Sequence, residues 1–328
     1  MSSQGSGPRP GDAPLARAPL GRPGHEISVC ICTFRRPELL LRLLRKLEGQ
    51  RRDPAFPFRA IIVDNDDSPS ARPVVERARQ ELSFPVDYLH EPQRSIARAR
   101  NRAVAAARGD LVAFIDDDEF PAEDWLPALV RCRDRFRVDG VLGPVLPHFE
   151  EPPPSWVVRS RLCERPTHPT GTDVGPKDLR TGNALLRRSL FLEDETPFDL
   201  TFGTVGGSDV VFFERLIARG RTFKWCNEAV VYETVTRERL KGAYYVRRAL
   251  ARGQGNAKRA PLFSLATLKS LAAFLIYTPL LPFALIPGKH VFMRLLISDC
   301  DHAGRLLGLL GINPVKARPY ESLQKAKP

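Results

Sequence analysis

Signatures of several common enzyme classes are missing from this chain of 328 residues. It has no Gly-x-Ser-x-Gly elbow, no Walker loop and no Gly-x-Gly-x-x-Gly fingerprint, which disfavours hydrolases, nucleoside triphosphatases and dehydrogenases. The six cysteines, at positions 30, 32, 132, 163, 226 and 300, are scattered, so we expect neither a disulfide framework nor a zinc cluster. This cysteine usage is typical of a reducing, cytosol-facing location.

The first 25 residues also lack the apolar central region of a signal peptide. They are rich in Pro, Gly and Arg, and we therefore expect residues 1–25 to form a disordered tail. The whole chain is 43% hydrophobic and 27% charged, which indicates a folded domain. Its net charge of +12 favours an anionic partner: nucleic acid, a membrane surface or a phosphorylated substrate.

Strand-like and helix-like segments alternate from Ile27 onward. The strand-like segments are "ISVCICTF", "FRAIIVDND", "VDYLH" and "LVAFID". The helix-like segments between them are "PELLLRLLRKLEGQ", "ARPVVERARQEL" and "SIARARNRAVAAARG". This order predicts βαβ units and a mostly parallel sheet. Ligands of such sheets bind beyond the carboxyl ends of the strands, and two acidic clusters, "VDND" and "IDDDE", lie at such ends.

The pattern changes after the fourth strand. Residues 144–176 are rich in Pro, Thr and Arg, and we expect irregular loops there. A helix is predicted to begin near Ser208 and to end at Gly220. The following segment "FKWCNEAVVYETV" is predicted to form one or two strands.

The C-terminal part combines a basic segment with an apolar one. Residues 237–259 carry eight Lys or Arg against one Glu, and residues 270–288 carry no charge. A straight helix of that apolar length would roughly match a bilayer core. Pro279 and Pro282 would break it, so a re-entrant or interfacial hairpin competes with a span, and a buried core helix is the ordinary alternative. The basic segment favours a membrane-associating region over residues 237–328.

The acidic clusters contain carboxylates at spacings that suit ligand binding. In an extended segment Asp116 and Asp118 face the same side, and two such carboxylates suit Mg²⁺ or Mn²⁺ shared with phosphate oxygens. A solvated acidic turn is the alternative. Asp64 and Asp66 are positioned to accept hydrogen bonds from a base or ribose, or to form an Asx turn that caps the next helix.

Basic and helix-initiating residues add further candidates. Arg94 and Arg100, at and within the third helix-like segment, would neutralise phosphates, although surface arginines are usually only solvated. Asp209 follows two glycines and precedes a helix. Taken alone, its position is that of a capping aspartate.

Together and in this order, these segments resemble a family 2 glycosyltransferase of the GT-A fold. The resemblance covers roughly Ile27 to Val235. The five segments that carry it are "ISVCICTFRRPELL", "IIVDNDDS", "SIARARNRAVAAARGDLVAFIDDDE", "TGNALLRRSLF" and "GGSDVVFFERLIARG". It implies an α/β domain over residues 26–236, with a GT-A type Rossmann-like mixed sheet flanked by helices.

The resemblance also implies a reaction, which is inverting transfer from a nucleoside-diphosphate sugar, with UDP as the expected nucleotide. Asp116 and Asp118 would form the Asp-x-Asp site for Mg²⁺ or Mn²⁺ and the diphosphate, and Asp209 would be the catalytic base. The other residues expected at the donor are Thr33, Arg35, Asp64, Asp66, Arg94, Arg100, Asp117 and Asn183.

Two departures from the family pattern matter. Ser208-Asp209 stands where the family usually has Glu-Asp, which leaves the acceptor-side environment open. The Gln-x-x-Arg-Trp signature of processive synthases is absent, so we expect one sugar to be added per encounter. The basic and apolar tail is similar to that of members that build exopolysaccharide repeats on lipid carriers. This implies a glycan or polyprenyl-linked acceptor at the cytoplasmic face of the cell membrane.

Three other functions were weighed against this one. A sugar nucleotidyltransferase needs a glycine-rich loop after the first strand, and "CTFRRPE" has no glycine. A nucleic-acid-binding protein should interleave basic residues with exposed aromatics, whereas the densest basic segment here precedes an apolar one. We therefore expect no nucleic-acid partner. An inactive glycosyltransferase-like scaffold is disfavoured by the retained Asp116, Asp118 and Asp209.

Overall fold

A computed structural model describes the following parts of the chain: residues 26–51, 56–176, 178–202, 207–257 and 262–315. The tail predicted for residues 1–25 lies outside them. The chain divides into two compact units. The N-terminal unit comprises residues up to Leu146 together with Arg165–Glu233, and the C-terminal unit comprises Pro147–Glu164 and the chain from Thr234 onward. Residues 147–164, which were predicted to belong to the first domain, are thus part of the second unit.

Within the described ranges the chain alternates between strands and helices. The strands are β1 (Ile27–Thr33), β2 (Phe58–Asp64), β3 (Val86–His90), β4 (Leu111–Ile115), β5 (Glu119–Pro121), β6 (Gly140–Leu142), β7 (Val145–Phe149), β8 (Asn183–Arg187), β9 (Phe223–Trp225) and β10 (Val231–Val235). The α-helices are α1 (Pro37–Glu48), α2 (Arg72–Glu81), α3 (Ile96–Ala106), α4 (Trp125–Phe136), α5 (Ser155–Ser160), α6 (Ser208–Ala218), α7 (Gly242–Ala257), α8 (Leu265–Leu280) and α9 (Lys289–Leu309). Short 3₁₀ turns occupy Arg188–Phe191, Leu200–Phe202, Arg237–Leu240 and Phe283–Leu285.

The central sheet has seven strands in the order β3-β2-β1-β4-β8-β6-β9. β1 runs parallel to β2 and to β4, and β2 runs parallel to β3. β8 is antiparallel to both of its neighbours, and β6 is parallel to β9. The predicted mixed α/β sheet is therefore confirmed. β1 is buried along almost its whole length because helices cover both faces of the sheet.

Two buried apolar clusters lie on the two faces of this sheet. On one face α1 places Leu40, Leu43, Leu44 and Leu47 at helical spacing, all wholly buried. On the other face α3 packs through alanines, including Ala99 and Ala103. Small residues let α3 approach the strands closely, and this brings its arginines near the edge where β1, β2 and β4 end.

Regular structure also occurs where loops were predicted. β7 and α5 lie within residues 144–176, and the segment between Arg161 and Thr172 is irregular. β7 belongs to a three-stranded sheet of order β5-β10-β7. The prolines at 152–154 separate β7 from α5, and Pro154 directly precedes the helix. Strand pairing with a distant segment, which local composition does not reveal, explains the difference.

Close helix packing dominates the C-terminal unit. α7 and α9 approach so closely that a Cβ atom on Gly253 would collide with the carbonyl oxygen of Asp301, and one on Gly304 with that of Leu250. Only glycine allows such a backbone approach. α9 therefore lies directly against α7.

The uncharged segment at 270–288 is interrupted where its prolines predicted. α8 ends at Leu280, the turn Phe283–Leu285 follows, and Gly288 turns the backbone with φ 118° into α9. None of the helices in the described ranges is both long enough and apolar enough to cross a membrane.

Candidate functional site

The carboxyl ends of three neighbouring strands bring the two acidic clusters to one edge of the sheet. β1 lies between β2 and β4, and Thr33 at the end of β1 is in register with Asp64 at the end of β2. Asp116, Asp117 and Asp118 follow β4 directly. The expected juxtaposition of the clusters after β2 and β4 is therefore observed.

Asp117 points into the protein and ties the turns after β1 and β4 together. Its Oδ2 accepts hydrogen bonds from the hydroxyl of Thr33 at 2.9 Å and from the backbone N–H of Phe34 at 3.4 Å. Its Oδ1 accepts one from Nη1 of Arg36 at 2.9 Å. Burial raises the pKa of Asp117 to about 6, against the lowering effect of Arg36. Thr33 and Asp117, both predicted at the donor, thus contact each other.

Asp116 and Asp118 are more accessible than Asp117. Asp118 accepts a hydrogen bond from Arg36 at 2.9 Å. Burial raises the pKa of Asp116 to about 6, opposed by Arg100 and reinforced by the nearby charges of Asp118 and Asp117. A Cβ atom on Gly182 would lie 3.3 Å from Oδ2 of Asp116, so the glycine leaves room for this carboxylate.

These two carboxylates fit a divalent cation. Carboxylate oxygens are the ligands that Mg²⁺ and Mn²⁺ prefer. Burial raises the pKa of Asp116 and the charge of Asp118 adds to this effect, and a cation would offset both. The described part of the chain contains no group of three or more His, Cys, Asp or Glu able to hold a metal. A cation at Asp116 and Asp118 would therefore take its other ligands from the diphosphate and from water.

Glu119, Arg165 and Glu233 form a buried ion-pair cluster next to the turn after β4. The sequence analysis did not predict this cluster. Glu119 is wholly buried and accepts a hydrogen bond from the backbone N–H of Asp116 at 3.0 Å. It lies opposite Glu233 in the antiparallel β5–β10 pair, where two like charges repel. Arg165 offsets this repulsion, since it donates to Glu233 at 2.7 Å and lies 4.0 Å from Glu119. The only hint in the sequence was the glutamate that ends "DDDE".

The two carboxylate oxygens of Asp64 differ in their contacts. Its Oδ2 accepts hydrogen bonds from the N–H of Ala71 at 2.7 Å, just before α2, and from the hydroxyl of Tyr88 at 2.9 Å. Its Oδ1 is buried and has no hydrogen-bond partner among the described residues. This contact holds the backbone just before α2 but spans seven residues and is not the predicted Asx turn, and an acceptor oxygen remains for a ligand.

The turn after β1 gathers the other predicted donor residues. Nε of Arg35 donates to Asp66 at 2.8 Å, and the backbone of Arg35 is left-handed with φ 54°. The guanidinium carbon of Arg94 lies 4.5 Å from the ring centre of Phe34, within the range of a cation–π contact. Arg35, Asp66 and Arg94 therefore lie around one turn.

Arg100 connects α3 with the start of α6. Its Nη1 donates to the hydroxyl of Ser208 at 3.3 Å, and its Nη2 lies 3.7 Å from Oδ2 of Asp209. Asp209 is not the capping residue, because Gly207 takes that position with φ 94°. Asp209 lies in the first helical turn, where Oδ1 accepts from the N–H of Val210. The serine that departs from the family pattern thus contacts Arg100.

Asn183 is not positioned to touch a donor, which corrects its predicted role. The residue is wholly buried. Its amide nitrogen donates to the carbonyls of Pro144 and Ala229, and its Oδ1 accepts from the indole N–H of Trp125. These partners come from three distant segments, so Asn183 holds the framework beneath the site while its neighbour Gly182 faces the carboxylates.

Arg180 is a second residue that the sequence analysis missed. Its Nη2 is buried and makes no hydrogen bond within the described residues. Burial and the positive charge of Arg165 lower the pKa of Arg180, while Asp178, Glu119 and Asp209 act in the opposite direction. A guanidinium held between these carboxylates contributes positive charge on the side of Asp209.

Comparisons with known proteins agree with this geometry. The model of the family "Glycosyl transferase family 2" matches residues 28–193. The succinoglycan biosynthesis protein ExoM of Rhizobium meliloti (strain 1021) is 33% identical over 301 residues, which make up 88% of this chain and 94% of that protein. The putative glycosyltransferase EpsH of Bacillus subtilis (strain 168) is 28% identical over 107 residues, 32% of this chain and 29% of EpsH.

A solved structure shares the fold. The crystal structure of S. aureus TarS 1-349 in complex with UDP-GlcNAc matches with a TM-score of 0.52 and 17% identity, over 88% of this chain and 93% of that one. The acidic sheet edge, the family match over half of the sequence and the extended similarity to ExoM lead to one conclusion: the chain belongs to glycosyl transferase family 2 and is a glycosyltransferase.

Proposed function

We propose that this glycosyltransferase moves one sugar per encounter from a UDP-sugar to a hydroxyl group of a glycan or polyprenyl-linked acceptor, with inversion at the anomeric carbon. The observation that carries the proposal is the position of Arg100. It lies 3.7 Å from Asp209, and its charge opposes the burial that raises the pKa of Asp116. One buried guanidinium therefore acts on both the proposed base and the proposed diphosphate site.

The donor nucleotide would occupy the edge formed by the ends of β1 and β2. The unpartnered Oδ1 of Asp64 is an acceptor suited to an N–H of the base. Asp66, held by Arg35, would face the ribose or the base, and Arg94 would contact the phosphates. UDP is favoured because the TarS structures with this fold are described as complexes with UDP-GlcNAc and with UDP.

The diphosphate would lie against the turn after β4. Asp116 and Asp118 would hold Mg²⁺ or Mn²⁺, whose charge stabilises the departing diphosphate. Arg36, which donates to Asp118 in this structure, would release that carboxylate when the cation binds. Asp117 would keep its contacts with Thr33 and Arg36 and so hold the turn in place.

Asp209 would act as the general base. In the transfer step the acceptor oxygen forms a bond to the anomeric carbon as the bond to the diphosphate breaks, and the hydroxyl proton passes to the carboxylate of Asp209. Attack from the face opposite the diphosphate gives inversion. Arg100 and Ser208 would orient this carboxylate, and Arg100 would stabilise its ionised form.

Polysaccharide assembly at the cytoplasmic face of the cell membrane is the setting that we propose for this reaction. The similarity to a succinoglycan biosynthesis protein over 94% of its length supports it. A polyprenyl-linked glycan would present its hydroxyl groups at that surface.

The test is a transfer assay with UDP-, GDP-, dTDP- and CMP-sugars, each with Mn²⁺ and a lipid-linked oligosaccharide fraction. We expect one class of donor, a UDP-sugar, to label the lipid fraction with a single added sugar of inverted anomeric configuration. Retained configuration would contradict the role of Asp209. Release of pyrophosphate from a sugar phosphate and a nucleoside triphosphate would favour the nucleotidyltransferase alternative.

A further inference from the structure

In α8 the one buried side chain is a serine, and all five leucines of the helix are exposed. Its buried residue is Ser270, whose hydroxyl lies 3.2 Å from Nδ1 of His302 on α9. About two turns further along α8, the hydroxyl of Thr278, a residue that is itself exposed, donates to Asp299 on α9 at 3.1 Å. A helix that faces water normally shows the opposite arrangement, with its apolar stripe toward the core.

The outward-facing residues extend beyond α8 in both directions. Eleven large apolar side chains between residues 262 and 286 are exposed: Leu262, Phe263, Leu265, Leu268, Leu271, Leu275, Ile276, Leu280, Phe283, Leu285 and Ile286. We call this set the apolar surface. Single exposed leucines are ordinary, but a dense set of this kind marks an interaction site. Exposure reaches 93% at Phe263 and 83% at Ile286.

The charge of the chain is concentrated in the same region. Residues 234–328 contain 16 Lys or Arg against four Asp or Glu, which equals the net charge of the whole chain. Residues 1–233 contain 34 of each sign. A partner of this region should therefore be apolar and anionic at once, which describes the headgroup and upper acyl region of an anionic bilayer.

We propose that the apolar surface inserts into one leaflet of an anionic membrane, with α8, the turn Phe283–Leu285 and α9 forming a hairpin that does not cross it. Sixteen residues in α8 at about 1.5 Å each give about 24 Å, less than the roughly 30 Å of a hydrocarbon core. The pairs Ser270–His302 and Thr278–Asp299 give two hydroxyl groups of α8 a partner on α9, which lowers the cost of placing this helix in an apolar surrounding.

Vesicle flotation of the full chain tests this inference. We expect the wild type to float with phosphatidylcholine vesicles that contain phosphatidylglycerol, and less with pure phosphatidylcholine. The double variant Leu268→Glu/Leu275→Glu should lower the partition coefficient at least about tenfold, because two buried leucines are lost from the lipid. The matched control Leu192→Glu/Leu200→Glu changes two exposed leucines of the N-terminal unit and should float like the wild type.

The depth of insertion is measured with Phe283→Trp and lipids that carry a quencher at defined acyl positions. Quenching confined to the upper part of one leaflet supports the hairpin, and quenching at the bilayer centre overturns it.

Flotation unchanged by Leu268→Glu/Leu275→Glu, or no flotation of the wild type, overturns the proposal as well. So does a lipid-free dimer that the double variant converts to monomers, since a second copy would then cover the surface. Unchanged circular dichroism shows that each variant is folded.

Discussion

The two units of the chain differ in the partners of their buried carboxylates and in the residues that they expose. In the N-terminal unit, carboxylates near the sheet edge are matched with arginines, as in the pairs Arg35–Asp66 and Arg36–Asp117. In the C-terminal unit, the buried Asp299 accepts a hydrogen bond from Thr278 and lies near His302, and large apolar residues are exposed. The first arrangement suits a site that binds charged ligands from water. The second suits a region whose surroundings are themselves apolar.

The largest effect is expected at Asp209, the proposed catalytic base in the N-terminal unit. Asp209→Asn should lower transfer roughly a thousandfold, because the amide cannot take the proton of the acceptor hydroxyl. UDP-sugar binding, followed by calorimetry, should be unchanged. The control Asp173→Asn alters a highly exposed aspartate of the same unit and should keep wild-type turnover. Wild-type turnover in Asp209→Asn itself would remove this residue from the mechanism.

The second prediction compares equal truncations in the two units. Leu44→Ala leaves a cavity in the buried cluster between α1 and the sheet. It should lower the free energy of unfolding by about 3 kcal/mol. Leu275→Ala, on the apolar surface, should change it by no more than about 0.5 kcal/mol in the absence of lipid. Urea unfolding of the full chain measures both. A large cost at Leu275 would mean that protein, and not solvent, surrounds this face.

The acidic edge of the sheet gives the third prediction. Asp118→Ala should weaken UDP binding at least about tenfold in the presence of Mn²⁺ and change it little without metal, because one of the two proposed metal ligands is lost. Isothermal calorimetry with UDP, with and without Mn²⁺, measures this directly. The control Asp173→Ala should behave as the wild type. Equal UDP affinity of the wild type in both conditions would show that no metal takes part in donor binding.

The sequence was sufficient to predict what local patterns determine. Apolar strands ending in carboxylates fixed the position of Asp64 and Asp116 at one sheet edge, and the prolines predicted the end of α8. The Glu119–Arg165–Glu233 cluster was not predictable, because it depends on the register of β5 against β10 and on a loop far from both in sequence. Asn183 was misassigned for the same reason, since its partners come from three separate segments.

The resemblance in sequence also could not reveal the polarity of α8. Its leucines predict an apolar helix, but only the packing of α9 shows that Ser270 is buried, that Thr278 bonds to Asp299 and that the leucines are exposed. A run of apolar residues with few polar ones fits a core helix, a span and a surface hairpin equally well. The distinction rests on which face finds a protein partner.

The smallest predicted effect tests the interior of the C-terminal unit. Asp299→Asn keeps an oxygen that accepts from Thr278 and removes only the charge. Burial raises the pKa of Asp299, against the lowering effects of Thr278 and His302, so ionisation is less favourable in the folded protein than in the unfolded chain. The resulting penalty is complete above the raised pKa and disappears as the pH falls below the unfolded value of about 3.9.

We therefore expect Asp299→Asn to be more stable than the wild type near neutral pH, by no more than about 1 kcal/mol, with the difference vanishing in acid. Urea unfolding of both proteins across the acidic to neutral range measures this. A variant less stable at neutral pH would mean that a cation holds this carboxylate, as arginines do in the N-terminal unit. Buried carboxylates would then be paired with cations in both units. One reason for placing α8 against lipid would be lost.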